Sequence, residues 1–335
     1  MARLVTFGEI MLRLSPPRRE LLLQSPRLDV WVAGAEANIA SGLARLGHEV
    51  AMASALPDND MGEAAITFLR GNGVDCRHIR RGSGRMGLYV AVPGAGLRAT
   101  EVIYDREHSA FACAPVEDWD WDRILDGADW LHLSGITPAL GPDPARAALA
   151  AARAASDRGI TLSFDGNYRA RLWERWDSDP RAILHELVGH ANILFGNHRD
   201  IALLLDRSLS GDGAERRREA AEIAFAAFPR LSLIASTARH VEDSDRHRIS
   251  ARIDTREDQA QTAEIDISGI VDRIGAGDGF AVGVLHALRG GKDIAEAAET
   301  GLAISALKHS LPGDASLFTQ RDLDAFRSGN MDVRR

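Results

Sequence analysis

Cysteine is scarce in this sequence, and long apolar runs are absent from it. The 335 residues include two cysteines, Cys76 and Cys113, with no CxxC pair and no cluster of cysteine and histidine. This pattern argues against a disulfide framework or a zinc site and fits a reducing compartment, so we expect a cytoplasmic protein. No run approaches the about 18 apolar residues of a membrane span, and the amino-terminal residues lack the features of a signal peptide.

The chain also lacks a positive charge balance and the common phosphate-binding loops. Its net charge of −8 argues against nucleic acid and anionic membranes as main partners. No G-x-x-x-x-G-K-[ST] sequence is present, so any ATP is bound without a Walker A loop. Residues 82–87 fit G-x-G-x-x-G but precede a predicted strand, which predicts a plain loop. A nicotinamide oxidoreductase is therefore only a distant alternative.

Helical segments alternate with short apolar runs from about residue 120 onward. Residues 145–158 read as a helix closed by Gly159, and predicted strands cover 160–164, 191–195 and 231–235. Each of these strands is followed by polar residues. The alternation predicts βαβ units and a largely parallel sheet, which binds ligands at the carboxyl ends of its strands.

Two regions, residues 12–32 and 86–110, alternate apolar and polar residues without helical periodicity. The runs 87–92 and 100–104 resemble an antiparallel pair. The charged segments 206–218 and 242–262 are predicted to be solvated loops.

The most informative motif is Ile274-Gly275-Ala276-Gly277-Asp278, which leads into an apolar helical segment. Glycines let the backbone approach a ligand closely, and the unpaired amides of a helix start bind anions. A carboxylate at such a site suits the deprotonation of a hydroxyl beside a bound phosphate. The alternative is an ordinary acidic residue in the first turn of a helix.

A second motif lies near the amino terminus. Gly34 and Ala35 begin a segment in which Ile39, Leu43 and Leu46 share one helical face, and Gly47 is placed to end the helix. Asn38 lies in the first turn among small residues, so a ligand can approach closely there.

Together the two motifs resemble the signatures of the PfkB, or ribokinase-like, family of carbohydrate kinases. The resemblance implies a three-layer α/β/α domain with a mainly parallel central sheet (residues 1–11, 33–85 and 111–330) and a small β-sheet lid (12–32 and 86–110). It implies that Asp278 is the general base and that Gly275, Ala276 and Gly277 form the anion hole. The family usually has Thr where this chain has Arg273.

Further segments, among them 6–14, 133–140 and 166–169, resemble the branch of the family that acts on 2-keto-3-deoxygluconate. The resemblance implies transfer of the ATP γ-phosphate to the 6-hydroxyl of that sugar acid. A kinase of fructose, ribose or 2-keto-3-deoxygalactonate is the nearest alternative. A non-catalytic sugar-binding protein of the same family is another.

The same resemblance supplies the expected substrate contacts. Arg106 and Arg169 are candidate clamps for the carboxylate, because a guanidinium grips an acid that a neutral sugar lacks. The other expected sugar contacts are Gly34, Ala35, Asn38, Tyr89, Tyr104 and Asn167. A surface role is the alternative for any single Arg or Tyr.

For the nucleotide, the resemblance points to Asn197, Ser236, Thr237, Arg239, Gly275, Gly277, Lys308 and His309. In the family a glycine-rich turn usually follows the Thr, whereas here Ala238-Arg239-His240 follows it. Asn197 and Asp200 are the expected magnesium residues, with a helix N-cap as the alternative. ATP and Mg²⁺ are the implied cofactors, K⁺ is a candidate activator, and a homodimer through the lid is the implied assembly.

Overall fold

A computed structural model describes residues 3–209 and 213–329 of the chain. Across these residues the helices are α1 (Ala35–Arg45), α2 (Asp60–Gly71), α3 (Trp121–Ile124), α4 (Pro142–Asp157), α5 (Ala170–Trp173), α6 (Pro180–His190), α7 (His198–Leu205), α8 (Ala214–Ala227), α9 (Ala276–Arg289), α10 (Ile294–Lys308) and α11 (Gln320–Arg327). Short 3₁₀ turns cover Val116–Asp118 and Pro138–Leu140.

The strands form a large sheet and a small one. The large sheet contains β1 (Arg3–Phe7), β4 (Val50–Pro57), β5 (Asp75–Gly82), β8 (Ala128–Ser134), β9 (Thr161–Asp165), β10 (Ile193–Phe195), β11 (Leu233–Val241), β12 (Arg246–Thr255), β13 (Gln259–Gln261) and β14 (Ile265–Ser268). The small sheet contains β2 (Met11–Ser15), β3 (Asp29–Ala33), β6 (Gly87–Val92) and β7 (Glu101–Asp105).

The large sheet has the strand order β13-β12-β11-β10-β9-β8-β1-β4-β5, and β14 also pairs with β12. From β5 to β11 every neighbouring pair is parallel, and β12 begins the antiparallel edge. The predicted α/β class, a mainly parallel sheet with a separate small sheet, is confirmed.

Helices cover both faces of the large sheet, because alternate strand residues point to opposite sides. Val5 and Phe7 of β1 belong to the core on the side of α4 and α6, whereas Leu4 belongs to the core on the side of α1 and α9. Helices α9 and α10 pack closely because Gly283 and Gly301 face each other. A Cβ added to Gly283 would lie 2.7 Å from Gly301 Cα.

The prediction of a solvated loop over 242–262 is wrong. Most of this segment forms β12 and β13, and Ile249, Ala251 and Ile253 of β12 are buried. The charged residues of this segment led to the wrong prediction. Arg252 and Asp254 are buried as well, and they neutralise each other through two hydrogen bonds of 2.7 Å. In the other predicted loop, helix α8 already begins at Ala214, and residues 210–212 lie outside the described residues.

Two further sequence predictions, a loop within residues 82–87 and the end of a helix at Gly47, agree with the described structure. Residues 83–86 connect β5 to β6, and Gly47 follows α1 with a φ of 90°. Cys76 and Cys113 are both free thiols. Every helix within the described residues is too short or too polar to span a lipid bilayer.

Candidate active site

A cavity of about 710 Å³ opens where the parallel strands of the large sheet end and the small sheet faces them. Its wall includes most of the residues singled out from the sequence, namely Gly34, Ala35, Asn38, Tyr89, Tyr104, Arg106, Asn167, Arg169, Asn197, Asp200, Ser236, Thr237, Arg239, Gly275, Ala276, Gly277 and Asp278. The carboxyl ends of parallel strands are the usual ligand site of such sheets.

The amino terminus of α9 provides backbone amides to this cavity. Gly275 has a φ of 82°, and a Cβ on it would collide with the carbonyl of Asp314, so only glycine fits. The regular i to i−4 hydrogen bonds of α9 begin with the Gly279 amide donating to the Gly275 carbonyl over 2.8 Å. The amides of Gly277 and Asp278 precede that bond, and a Cβ on Gly277 would meet no atom within 4 Å. This helix start is therefore open to an anion.

Asp278 is the third residue of α9, and its side chain meets Asn38 of α1. Asn38 Nδ2 donates a hydrogen bond of 2.6 Å to Asp278 Oδ2. Burial raises the pKa of Asp278 to about 7, the Asn38 hydrogen bond opposes this rise, and the charges of Asp314 and Glu36 add to it. A carboxyl that exchanges its proton near neutral pH is suited to general-base catalysis.

The loop before α9 is held by a buried ionic network that the sequence analysis did not identify. Arg13 of β2 contacts Asp272 over 2.5 Å and Asp314 over 3.0 Å. Tyr89 of β6 donates its hydroxyl to the other oxygen of Asp314. Asp272 also accepts the amides of Ile274 and Gly313. The small sheet is thereby attached to the loop that carries Gly275.

Arg106, a predicted carboxylate clamp, already has a carboxylate partner. Its Nε donates over 2.6 Å to Glu9, and both side chains are almost fully buried. Glu9 is itself enclosed, since a Cβ on Gly87 would collide with its carboxylate. Arg106 lines the cavity, but its guanidinium is committed to holding β7 against the segment after β1.

Arg169, the second predicted clamp, is exposed and follows β9. Its Nη1 donates to the carbonyl of Tyr168, and its charge opposes the rise that burial causes in the pKa of Asp165, Asp200 and Asp278. Within the described residues, Arg106 is hydrogen-bonded to a carboxylate and Arg169 is not. Arg169 is therefore the better placed of the two to bind a substrate carboxylate.

Asp165, the last residue of β9, was missed as a site residue. It lines the cavity and accepts the Asn167 amide over 3.1 Å. Burial, together with the charges of Asp278 and Asp200, raises its pKa to about 8. Its position at a strand end, two residues before the predicted Asn167, was the available signal.

The predicted magnesium residues take part in a helix cap. Asn197 caps α7 by accepting the Arg199 amide over 2.8 Å, and Asp200 accepts the Asn197 amide over 2.7 Å. The alternative N-cap role is thus observed for both. Asp200 still lines the cavity beside Asp165, although no group of three or more metal-binding side chains occurs among the described residues.

Lys308 and His309 do not line the cavity. Lys308 is fully buried and its ammonium donates to the carbonyl of Leu311. His309 is also buried, with Nδ1 hydrogen-bonded to the carbonyl of Ser305 one turn earlier. The predicted contact of these two residues with the nucleotide stays a prediction, and in this structure both polar groups are turned into the protein.

Comparison with known proteins gives a consistent result along the whole chain. A family model described as pfkB family carbohydrate kinase matches residues 1–320. The chain is 33% identical to the 2-dehydro-3-deoxygalactonokinase of Haloferax volcanii, with 100% of this chain and 99% of the relative covered. It is 28% identical to the 2-dehydro-3-deoxygluconokinase of Bacillus subtilis, with 98% and 96% covered.

Among solved structures, the 2-dehydro-3-deoxygluconokinase of Thermotoga maritima superimposes with a TM-score of 0.93 at 37% sequence identity. The superposition covers 98% of this chain and 100% of that one. The similarity therefore includes both sheets.

Proposed function

This chain belongs to the pfkB family of carbohydrate kinases, and we propose that it transfers the γ-phosphate of ATP to the 6-hydroxyl of a 2-keto-3-deoxy sugar acid, with 2-keto-3-deoxy-D-gluconate as the acceptor. The observation that carries the proposal is the position of Asp278, held by Asn38 beside the open amides of α9. A base and an anion site adjoin there in one cavity.

In the proposed reaction, the Asp278 carboxylate accepts the proton of the 6-hydroxyl as that oxygen bonds to the γ-phosphorus. The bond between the γ-phosphorus and the β–γ bridging oxygen breaks, and ADP leaves. The amides of Gly275 and Gly277 stabilise the charge on the transferring group, which is the main need of phosphoryl transfer. The Ala276 amide, also predicted for this role, donates to the carbonyl of Arg273 over 3.2 Å in this structure.

The cavity fits Mg²⁺ only with the help of substrate phosphates and water. Mg²⁺ in proteins is commonly bound by one or two carboxylates, and its other ligands are water molecules and phosphate oxygens of the substrate. The second oxygen of Asp200, next to Asn197, is the proposed protein donor. When bound, the ion supplies positive charge to the phosphates. K⁺ stays a candidate activator to be tested with it.

The sugar acid is proposed to lie between the end of β9 and the inner face of the small sheet. Arg169 would bind its carboxylate, with Asn167 and Tyr104 beside it on the cavity wall. Closure of the small sheet as a lid would exclude water and limit ATP hydrolysis.

The relatives divide on the acceptor. The Haloferax volcanii enzyme is named for the galactonate form, and the Bacillus subtilis and Thermotoga maritima enzymes for the gluconate form. The two sugar acids differ at one hydroxyl-bearing carbon, so both belong in the test. The same activity assay includes fructose and ribose as alternative acceptors. It also tests the alternative that the protein binds a sugar without catalysis.

The test is ATP-dependent ADP release with 2-keto-3-deoxygluconate, 2-keto-3-deoxygalactonate, gluconate, fructose and ribose, in Mg²⁺ with and without K⁺. A preference of at least about tenfold in kcat/KM, or about 1.4 kcal/mol, for the first acid supports the proposal. A preference for the second acid keeps the chemistry and changes the acceptor. Turnover confined to a neutral sugar, or no turnover with ATP still bound, contradicts it.

We also propose a cytoplasmic homodimer formed through the outer face of the small sheet. Val30, Leu14, Val90 and Ile103 lie side by side across all four strands on the face away from the cavity. Val30 and Ile103 are 55% and 43% exposed. An apolar sheet face of this kind is typical of an interface.

Light scattering after size exclusion tests the dimer. We expect a dimer for the unmodified chain and a monomer for Val30→Lys. Leu97→Lys, at a 98% exposed loop position, is the control and should remain a dimer. A monomeric unmodified chain contradicts the proposal.

A further inference from the structure

Lysine is almost absent from this chain. Lys292 and Lys308 are the two lysines of the sequence, and the rest of its 40 lysine and arginine residues are arginine. Lys292 is exposed and pairs with Glu296 of α10 over 3.0 Å. Lys308, at the end of α10, is fully buried. Because lysine is almost never fully buried without a partner, its use at this one interior position points to a specific role.

The Lys308 side chain lies against the first turn of α9. A Cβ added to Gly279, the residue after Asp278, would lie 3.5 Å from Lys308 Cβ. The ammonium donates a hydrogen bond of 2.9 Å to the carbonyl of Leu311. Within residues 3–209 and 213–329 it forms no further hydrogen bond and no ion pair. This lysine is therefore packed behind the helix start that carries the proposed base, and it does not line the cavity.

The hydrogen bond from the ammonium fixes the segment 309–314, which packs against the loop before α9. The carbonyl of His309 accepts the Asp272 amide over 3.2 Å. At the other end of the segment, the carbonyl of Asp314 packs directly against Gly275. The segment therefore sets the position of the turn that presents the open amides of α9.

The charge of Lys308 completes an ionic network that is otherwise unbalanced. Arg13 faces two carboxylates, Asp272 and Asp314, so one guanidinium serves two negative charges. Burial lowers the pKa of Lys308, whereas the charges of these two carboxylates raise it. An excess of buried negative charge is costly, and beside the start of α9 it would also repel a phosphoryl group. A second cation at this place removes that excess.

We propose that Lys308 is a positioning residue for phosphoryl transfer. Its ammonium balances the second carboxylate of the network and holds the segment 309–314 against Gly275, behind the amides that stabilise the transferring group. The inference rests on the proposed kinase reaction and deepens it. A compact ammonium on a slender stem reaches a carbonyl from this enclosed position, whereas the planar guanidinium of arginine needs more space. That difference accounts for a lysine in a chain that otherwise uses arginine.

The first test measures the charge of Lys308 in the full chain and needs no substrate. NMR of protein labelled at lysine Cε and Nζ gives two lysine signals, and Lys292→Met identifies the buried one. We expect Lys308 to be an ammonium at pH 7. In Asp272→Asn it should lose its proton at lower pH, because a carboxylate that favours the charged form is gone. A neutral Lys308 at pH 7, or a titration unaffected by Asp272→Asn, would overturn the inference.

The second test is the turnover of Lys308→Met, which keeps an apolar stem and removes the charge. We expect kcat to fall by about 10- to 100-fold, somewhat less than for loss of a donor that touches the transferring group. KM for the sugar acid should stay within about twofold, because the residues proposed to bind it are unchanged. Lys292→Met, which removes the other lysine at an exposed position, is the matched control and should keep its kcat.

Chemical rescue separates the charge from a purely structural role. In Lys308→Ala the space of the stem is open, so added methylammonium should restore part of kcat. Methanol, which is neutral and of similar size, should not. Circular dichroism and thermal midpoints show whether each variant is folded, and the NMR titration decides if neither is. A folded Lys308→Met with kcat within about twofold of the unmodified chain, or equal rescue by methanol, would refute the role of the ammonium.

The two tests distinguish failure of this inference from failure of the proposed function. If no sugar acid is phosphorylated but the charge of Lys308 depends on Asp272, the network role of Lys308 is supported and the acceptor is wrong. If Lys308→Met phosphorylates the sugar acid at the rate of the unmodified chain, the inference is wrong and the kinase stands.

Discussion

Asn38 donates its side-chain amide to the carboxylate of Asp278 across 240 positions of sequence. The contact joins the amino-terminal turns of α1 and α9, which the two sequence motifs occupy. It also orients one carboxylate oxygen and leaves the other free for a hydroxyl. This pair is the basis of the first two predictions.

Replacing Asp278 with Asn should remove the base and retain the shape of the site. We expect kcat to fall by about 10²- to 10⁴-fold, the usual contribution of a general base. Binding of sugar acid and ADP, measured by calorimetry, should survive because the amides of α9 are unchanged. Retained turnover would refute the assignment of the base.

Activity should depend on pH through the same carboxyl. With a pKa raised to about 7, Asp278 is increasingly deprotonated as pH rises through neutrality, so kcat/KM should increase and then level off. Asn38→Ala removes the hydrogen bond that lowers this pKa and should move the rise to higher pH. A profile flat between pH 5.5 and 8.5, at roughly constant structure, would count against Asp278.

Stability should fall as pH rises, the opposite of the trend in activity, because of the raised pKa values of two buried carboxyls. Their pKa is raised on folding, for Asp278 to about 7 and for Asp165 to about 8, against about 3.9 in an unfolded chain. The folded state then binds more protons between these values, so their contribution is lost as pH rises from about 4 to 8. Asp278→Asn should be the more stable protein at pH 8 by on the order of 3 kcal/mol. If the unmodified chain and Asp278→Asn have the same thermal midpoint at pH 5 and again at pH 8, this prediction is wrong.

Two neighbouring glycines should respond differently to substitution with Ala. Gly275→Ala strains a positive φ and drives a methyl group into Asp314, so we expect a loss of at least about 1–3 kcal/mol of stability. Gly277→Ala has room and a helical backbone, so stability should hold or rise by up to about 1 kcal/mol. Its methyl group would still occupy the anion site, and kcat should fall. Equal thermal midpoints for the two variants would refute the difference.

Arg169→Ala tests carboxylate recognition without disturbing the core. Because the side chain is exposed, stability should change by less than about 0.5 kcal/mol. KM for the sugar acid should rise by about 10- to 100-fold, and KM for fructose should not. Arg171→Ala, an exposed neighbour outside the cavity wall, is the control. An unchanged preference for acid over neutral sugar would exclude Arg169 from the clamp.

Arg106→Gln should instead act on folding. It leaves the buried carboxylate of Glu9 unpaired, which typically costs about 3–5 kcal/mol. The double variant with Glu9→Gln should recover much of that loss, as thermal midpoints would show. A stable single variant with a raised KM for acids would return Arg106 to substrate binding.

How much the sequence predicts depends on whether a feature is local. Asp278 and Asn38 lie in short motifs, each with its own helix start and spacing, so residues within ten positions identify them. Periodicity likewise indicated the parallel sheet from residue 120 onward.

What the sequence could not predict are pairings between distant polar residues. Arg13 meets Asp314 across 301 positions, and Glu9 meets Arg106 across 97. The partner of Arg252 is Asp254, only two positions along β12, but the two share a face only once this charged segment is a strand. A charged residue without a known partner is predicted to lie on the surface. For this reason the sequence did not indicate these buried pairs, and the strand that contains Arg252 was predicted to be a loop.

The same long-range contacts bear on how the protein folds. Strand β1, from the start of the chain, lies inside the large sheet between β4 and β8, and the carbonyl of Asp314 packs directly against Gly275. Contacts that close such long loops form slowly. On refolding, helical circular dichroism should therefore return before catalysis. Until those contacts form, the chain exposes strand edges that favour aggregation, so dilute conditions should improve recovery.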